Sequence, residues 1–231
     1  MPIVPGAILS DLLNGGDKDW GDPPPYWRMG FEAATRASKH FALGTAGAGY
    51  GATTYDLKGG LGSTSAVSSR GFLVGALVAV NAMGRATRGS SPYFWAAPYE
   101  RDEEFGGLGE PEQRPADALD LKIKRDQPTN TTIAVVATDA RLTKAEMKRV
   151  AIMAQDGIAL ALRPAHAPTD GDVVFAASTS RAVREPDVRD LTEIGMLAAD
   201  CLARAIARGV YEATSLKNSI APRCWREAHG R

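Results

Sequence analysis

The chain has 231 residues, of which 44% are hydrophobic, enough to build a packed core in one large domain or two small ones. Lys plus Arg and Asp plus Glu both number 27, and this zero net charge argues against the basic surface typical of nucleic-acid-binding proteins. No apolar run approaches the roughly 18 residues that a membrane-spanning helix needs, and the first residues lack the basic region of a signal peptide. Cys201 and Cys224 have no metal-type spacing, so we expect reduced thiols in a cytoplasmic protein.

The first 60 residues predict one short helix and two loops. Three consecutive prolines place residues 17–28 in a loop, and Gly30 to His40 follows as a short helix. The glycine-rich stretch 44–51 lacks the preceding strand and the following helix of a dinucleotide fingerprint, and it also lacks a Walker lysine. Phosphate binding is therefore the weaker interpretation, and close approach of the backbone to neighbouring chain is the stronger one.

The middle of the chain predicts a β-hairpin followed by a long loop. The runs Leu61–Ser68 and Phe72–Asn81 flank a Ser-Arg-Gly turn. The second run is apolar on both faces, which predicts a strand buried on both sides. Asn81 either starts a turn or contributes a polar group to a site. Residues 85–128 have no clear periodicity, and we expect a long, exposed loop there that leads to Asn130.

The remainder of the chain predicts two strands that alternate with two helices. These are a strand at Thr131–Thr138, a helix after a Thr143/Glu146 capping box that continues to Leu162, a strand at Val173–Ser178, and a helix that starts at Asp190 and Glu193 and ends near Gly209 or Thr214. We expect the tail beyond Lys217 to be loosely ordered, with Trp225 as a candidate for docking. The element order indicates a layered α/β protein with helices outside and sheets inside.

The junction between Asn130 and Thr131 is the most informative point of the sequence. A charged segment ends at Asn130, and a β-branched run begins at Thr131. The plain interpretation is the start of an ordinary strand. The alternative is a bond that the chain cuts itself, which would free Thr131 as a nucleophile with its own α-amino group as the base.

Six segments, taken in order, resemble the L-aminopeptidase/D-amidase-esterase family of self-processing hydrolases. That family includes the β-peptidyl aminopeptidases and the nylon-oligomer (6-aminohexanoate oligomer) endohydrolases. The resemblance extends from near Met1 to about Ala213 and rests on NGGDKDWGDPPPYWRMG, ALGTAGAGYGATTYDLKGGLGS, VGALVAVNAMG, FWAAPYE with EFGGLG, NTTIAVVATDARLTKAEMKRVAIMAQDG and RPAHAPTDGDVVFAAST.

The resemblance implies an α-β-β-α sandwich like that of N-terminal-nucleophile hydrolases, with different connectivity. It implies a single domain that cuts itself into residues 1–130 and 131–231 and assembles into a homo-oligomeric ring of processed subunits. Members of the family begin with a further N-terminal region that supplies strands and a tyrosine near the site. We therefore expect this chain to be truncated at its N-terminus, and we expect no cofactor and no metal.

The resemblance also implies a set of site residues. Threonine as nucleophile is the choice of the nylon-oligomer branch, which places its lysine, asparagine and two aspartates at Lys58, Asn81, Asp170 and Asp172. The α-amine of Thr131, with a reference pKa of about 7.7–8.0, would be the base, and Lys58 would keep it neutral by like-charge repulsion. Asn81 would donate to the oxyanion. One aspartate would orient the nucleophile and the other would offset the charge of Lys58.

The acidic pair has plainer interpretations. Alternate residues of an extended segment point to opposite sides, so Asp170 and Asp172 can share one ligand only if Gly171 bends the chain. A turn with solvated carboxylates is the alternative, and a calcium loop would need a longer ligand set. No Gly-x-Ser-x-Gly segment accompanies the histidines, so a serine triad is not indicated. His166 precedes the Asp-Gly-Asp turn and could support the site residues, although an ordinary loop histidine is the favoured interpretation.

Three functions remain open from the sequence. The first is a self-processing hydrolase of a small peptide or amide, with no nucleic-acid or membrane partner. The second is an acyltransferase that resembles ornithine acetyltransferase, which would depend on an acceptor. The third is an unprocessed relative without catalytic activity.

Overall fold

The computed structural model describes residues 4–124, 130–217 and 220–230. Its centre is a four-stranded sheet with the strands in chain order. The first three strands are antiparallel and the fourth is parallel to the third. The strands are β1 (Leu61–Val67), β2 (Leu73–Asn81), β3 (Thr131–Thr138) and β4 (Val173–Ser178).

The predicted hairpin is confirmed. Leu61 pairs with Ala79 at one end of the β1–β2 ladder and Val67 with Leu73 at the other. The turn is closed by Ser68, whose backbone amide donates to the carbonyl of Phe72 over 2.8 Å. The predicted strand at Thr131 is also confirmed, and β2 and β3 pair residues that are distant in sequence.

Five helices occur in the described residues: α1 (Tyr26–Thr35), α2 (Lys144–Ala154), α3 (Asp156–Ala161), α4 (Val188–Tyr211) and α5 (Trp225–Ala228). The helix predicted at Gly30–His40 instead begins at Tyr26, directly after the prolines. Proline is tolerated at the start of a helix, where its missing N–H would have no partner in any case. No residue of α1 is buried.

The helix predicted from Thr143 to Leu162 is divided in two. Its start is confirmed, because the Thr143 side chain accepts from the Glu146 amide while the Thr143 amide donates to the Glu146 carboxylate over 2.7 Å. Gln155 ends α2 and precedes α3. Gly157, a poor helix former, lies just after this break and packs against α4.

Helix α4 begins earlier than predicted because Asp187 caps it. The Asp187 carboxylate accepts from the amides of Arg189 and Asp190, and Asp190 returns the interaction by accepting from the Asp187 amide over 2.9 Å. This reciprocal capping box satisfies amides that would otherwise have no partner. The helix continues past Gly209, packs along β1 and β2, and joins β3 and β4 through its contacts with α2 and α3.

The core lies between the helices and one face of the sheet. Its members include Val74, Val78, Val80, Ala134, Val136, Ile158, Ile194, Leu202 and Ile206, all nearly inaccessible to solvent. The opposite face is partly open, with Leu73 53% exposed, Leu77 38% and Val135 38%. The prediction that β2 is buried on both sides is therefore wrong for its first half, since no described residue covers that face there, and correct for residues 78–81.

The loop predicted after β2 is confirmed over residues 85–124, where only a short 3-10 turn at Ala97–Tyr99 is regular. Its expected exposure is wrong in part, because the loop buries Phe94 and Phe105 at 2% exposure each. The C-terminal segment holds part of it in place, as expected for Trp225. The indole N–H of Trp225 donates to the Pro92 carbonyl over 3.1 Å, and the ring stacks on Phe94 with 5.6 Å between centroids. None of the helices in the described ranges has both the length and the apolar character that crossing a membrane would require.

Candidate active site

The junction at Asn130 lies at the end of the sheet. Thr131 is the first residue of β3, and its partner across the ladder is Asn81, the last residue of β2. Residues directly opposite each other in a ladder have side chains on the same face, here the face away from the helices. The last part of the exposed loop expected before this junction, residues 125–128, lies outside the described residues. Asn130 itself is buried, with 1% exposure.

The carbonyl of Asn130 is contacted by two donors. The backbone N–H of Gly171 donates to its oxygen over 2.8 Å, and the hydroxyl of Thr131 donates to the same oxygen over 2.5 Å. A Cβ on residue 171 would lie 2.8 Å from the Thr131 Oγ1 atom, so glycine permits this approach. A backbone amide aimed at a carbonyl oxygen is the arrangement that stabilises an oxyanion. No sequence motif indicated this donor, and its only signal was the Asp-Gly-Asp turn.

Both aspartates reach the junction. The backbone of Asp170 forms a β-bridge with that of Asn130, and its carboxylate accepts from the Met83 amide over 3.3 Å. The carboxylate of Asp172 accepts from the Thr132 amide over 3.0 Å. Burial, and then the nearby Asp172 carboxylate, raise the pKa of Asp170 to about 6. Asp170 therefore holds its proton to higher pH than an exposed aspartate does.

His166 contacts the second aspartate. Its Nδ1 lies 3.0 Å from the Asp172 Oδ2 atom, and its backbone amide donates to the same oxygen over 3.3 Å. Asp172 is nearly inaccessible, with 3% of its side chain exposed. Of the two interpretations of His166, these contacts favour a supporting role beside the site residues over an ordinary loop histidine.

Lys58 is completely buried below the glycine-rich loop. Its Nζ donates to the carbonyls of Gly49, Ala52 and Gly59 over 2.8, 2.7 and 2.8 Å. Burial lowers its pKa to about 8, against a smaller opposing effect of Asp11. An ammonium has three hydrogens to donate and no acceptor, so the three bonds match the charged form of Lys58 and hold it in place. The structure gives Lys58 no ion pair with Asp170 or Asp172 among the described residues, and the carboxylate that acts on its charge is that of Asp11.

The glycine-rich loop has the role that the sequence favoured. A Cβ on Gly49 would lie 2.2 Å from the backbone nitrogen of Leu61, and one on Gly44, where φ is +67°, would lie 2.0 Å from the Glu212 carbonyl oxygen. Close backbone approach brings the loop over Lys58, and the Gly49 carbonyl is itself one of the three acceptors of the ammonium.

Lys124 is a site residue that no sequence pattern indicated, because it lies in the long loop. Its Nζ donates to the Thr53 carbonyl over 2.6 Å and to the Asn81 Oδ1 atom over 3.3 Å. Asn81 is also held by the Thr53 amide, which donates to the same Oδ1, and its Nδ2 donates to the Ser10 carbonyl. Burial lowers the pKa of Lys124 to about 7, while Asp170 acts to raise it and Lys58 to lower it.

The structure thus gathers four of the five residues expected to act together around one bond. Four of them contact one another or the backbone beside the junction: Thr131, Asn81, Asp170 and Asp172. Lys58 instead contacts loop carbonyls, and its charge acts on the site by lowering the pKa of Lys124. Across residues 4–124, 130–217 and 220–230, no group of three or more His, Cys, Asp or Glu side chains is placed to hold a metal ion.

Comparisons with solved structures define the class of fold. The PH0078 protein of Pyrococcus horikoshii aligns with a TM-score of 0.58 and 26% identity, over 80% of this chain and 49% of that protein. An L-aminopeptidase D-Ala-esterase/amidase of Ochrobactrum anthropi, described as a new variant among the Ntn hydrolase fold, aligns with a TM-score of 0.54 and 24% identity, over 81% and 50%. The chain therefore has the α/β fold of Ntn-hydrolase aminopeptidases.

The family follows from the sequence comparisons. The model of Peptidase family S58 matches residues 1–221, and the chain belongs to that family. An uncharacterized aminopeptidase of Mycobacterium tuberculosis is 39% identical over 226 residues, which cover 92% of this chain and 64% of that protein. A counterpart in Mycobacterium leprae is 37% identical, with 94% and 63% covered. The chain thus spans a little less than two thirds of these relatives.

Proposed function

We propose that this chain is the self-processing, catalytic part of a peptide or amide hydrolase whose nucleophile is Thr131. The observation that carries the proposal is the double contact at the Asn130 carbonyl, where the Gly171 N–H and the Thr131 hydroxyl meet the same oxygen. One donor is placed to stabilise an oxyanion, and the other is the group that would attack.

Self-cleavage would proceed by an N-to-O acyl shift. The Thr131 Oγ1 atom attacks the carbonyl carbon of Asn130, and the oxyanion that forms is stabilised by the Gly171 N–H. The C–N bond then breaks, and the nitrogen takes up the proton that the hydroxyl released and leaves as the amine of Thr131. Water hydrolyses the resulting ester and releases the carboxylate of Asn130 and the free hydroxyl.

The proton of the hydroxyl needs an acceptor in this first reaction. Before cleavage the nitrogen of Thr131 is an amide and cannot serve as a base. The backbone of Asp170 pairs with that of Asn130, and its carboxylate is ionised above its pKa of about 6, so we assign this transfer to Asp170. After cleavage the α-amine of Thr131, with a reference pKa of about 7.7–8.0, takes over as base.

Cleavage would also prepare the site for substrate. The Asn130 carbonyl leaves the Gly171 N–H, which becomes available to the carbonyl of a substrate. The amide of Asn81, opposite Thr131, is the second donor that we propose, and it would exchange its bond to the Ser10 carbonyl for one to the substrate. Lys58 supplies a fixed positive charge that favours the neutral form of the α-amine.

The substrates we propose are small peptides or amides, with 6-aminohexanoate oligomers and β-peptides as the candidates that the family resemblance implies. The names of the mycobacterial relatives support an aminopeptidase activity. The same resemblance supports a cytoplasmic homo-oligomer of processed subunits as the working state, and a threonine nucleophile of the nylon-oligomer type.

Intact-mass measurement of the purified protein tests this proposal. We expect two fragments, 1–130 and 131–231, from the wild type and from Thr131→Ser, and one uncut chain from Thr131→Ala. Thr132→Ala is the matched control, because its side chain is buried on the helix side of the sheet, and it should still be cut. An uncut wild type, or cleavage that persists in Thr131→Ala, would overturn the proposal and favour the unprocessed relative.

A further inference from the structure

The ammonium of Lys124 lies in the candidate active site, at a position formed by residues from other segments of the chain. The Thr53 carbonyl and the Asn81 Oδ1 atom accept from it, and both residues are almost completely buried. The Asp170 carboxylate attracts it. None of these three groups belongs to the segment that carries Lys124, so they remain in place if that lysine withdraws.

We propose that Thr53, Asn81 and Asp170 form a binding site for a primary ammonium group, and that Lys124 fills it in the uncut chain as an intramolecular substitute for substrate. This inference deepens the proposed hydrolase function, since it assigns part of the substrate to a named set of acceptors. It also gives the uncut chain a contact that blocks the site.

The position of Lys124 in the chain explains why such an occupant would be temporary. Lys124 precedes the junction by a few residues, and cleavage before Thr131 would make Asn130 a free chain end. A side chain near a free end can leave the site, whereas one tied into β3 through an intact peptide cannot easily do so. Burial of the ammonium also opposes its charged form, so the contact is not strongly favourable on its own.

The occupant defines the chemical class of the ligand. The side chain of lysine is an unbranched chain of four methylenes that ends in an ammonium, and it reaches Asn81, the cross-strand partner of Thr131. A substrate held in the same way would carry a primary ammonium on an unbranched aliphatic chain.

Binding of n-butylammonium to uncut variants tests the proposal without any catalytic step. All variants carry Thr131→Ala, so none depends on self-cleavage. Lys124→Ala vacates the site, and we expect it to bind n-butylammonium in a saturable titration followed by NMR, at least about tenfold more tightly than the parent with Lys124 in place. The neutral analogue n-butanol should not bind in the same range, because the site offers acceptors and a carboxylate.

Two further variants serve as matched controls. Lys124→Met keeps the site filled with a neutral chain of similar length, and Lys122→Ala removes an exposed lysine from the same segment. Both should bind n-butylammonium as weakly as the parent. If Lys124→Ala is poorly folded, n-butylammonium should still raise its midpoint of thermal unfolding more than that of Lys124→Met.

Equal binding by all four variants, or no binding and no thermal shift in Lys124→Ala, would overturn the proposal. The outcome is separate from that of the intact-mass experiment. Failure of the wild type to cut itself would remove the hydrolase function and leave the ammonium site testable, whereas absence of binding would remove the site and leave self-cleavage standing.

Discussion

Asp170 is the residue whose environment gives the clearest pH dependence. Its pKa is raised from 3.8 to about 6, first by burial and then by the Asp172 carboxylate. Between about pH 4 and pH 6 the folded chain therefore binds more protons than the unfolded chain, in which Asp170 is already ionised. Stability contributed by this group is present below that range and is lost as the pH rises through it.

Asp170→Asn should reveal this effect in the uncut Thr131→Ala background. We expect the free energy of unfolding of the parent, minus that of Asp170→Asn, to fall from about pH 4 to about pH 6 and to stay level above about pH 7. Urea unfolding at a series of pH values measures the difference. A difference that rises with pH would contradict the assigned environment of Asp170.

Helix α4 is the element on which the packing of the sheet most depends, since it lies along β1 and β2 and contacts α2 and α3. Its N-terminus is fixed by the Asp187 capping box and by Arg70, which contacts Asp187 and Asp190 over 2.6 and 2.9 Å. Removal of an N-cap side chain leaves helix amides without their acceptor.

Asp187→Ala should therefore lower the free energy of unfolding by about 1–2 kcal/mol, the usual effect of losing such a cap. Chemical denaturation of the Thr131→Ala chain measures the change. Glu185→Ala is the matched control, because its ion pair with Arg141 is exposed and such pairs contribute little, about 0–1 kcal/mol. Equal losses in the two variants would show that the capping box does not stabilise α4 in the way described.

The proposed cleavage would divide the whole molecule into two fragments, residues 1–130 and 131–231, that share one sheet and one core. The β2–β3 ladder joins the two fragments through eight residue pairs, and α4 of the smaller fragment packs on β1 and β2 of the larger one. Cleavage of one peptide bond leaves these contacts intact. Most of the core is therefore shared between the fragments.

The two fragments should accordingly remain associated after self-cleavage. We expect them to elute together from a size-exclusion column under native conditions and to separate only in concentrated denaturant, because each fragment alone would expose apolar core surface. The uncut Thr131→Ala chain provides the reference elution volume. Independent elution of a folded fragment 131–231 would show that the shared core is not needed to hold it.

The sequence alone determined those features that depend on neighbours along the chain. Periodicity and β-branched runs predicted the hairpin, the strand at Thr131 and the buried faces of the later helices, and the Thr143 capping box fixed the start of α2. Such signals are local, because each depends on residues no more than about four positions apart in the chain. The boundaries were less secure where two signals competed, as at the prolines before α1.

Only the tertiary structure decided how the site is assembled. It brought the Gly171 N–H to the Asn130 carbonyl, His166 to Asp172, and Lys124 to Asn81, and it left one face of β2 partly open. A backbone N–H occurs in every residue except proline, so no residue type identifies a backbone donor such as that of Gly171. A lysine in a loop, such as Lys124, belongs to no periodic pattern that would predict its partner. These contacts join segments far apart in sequence, so their geometry is set by packing of the whole chain, whereas a local pattern records only what its immediate neighbours require.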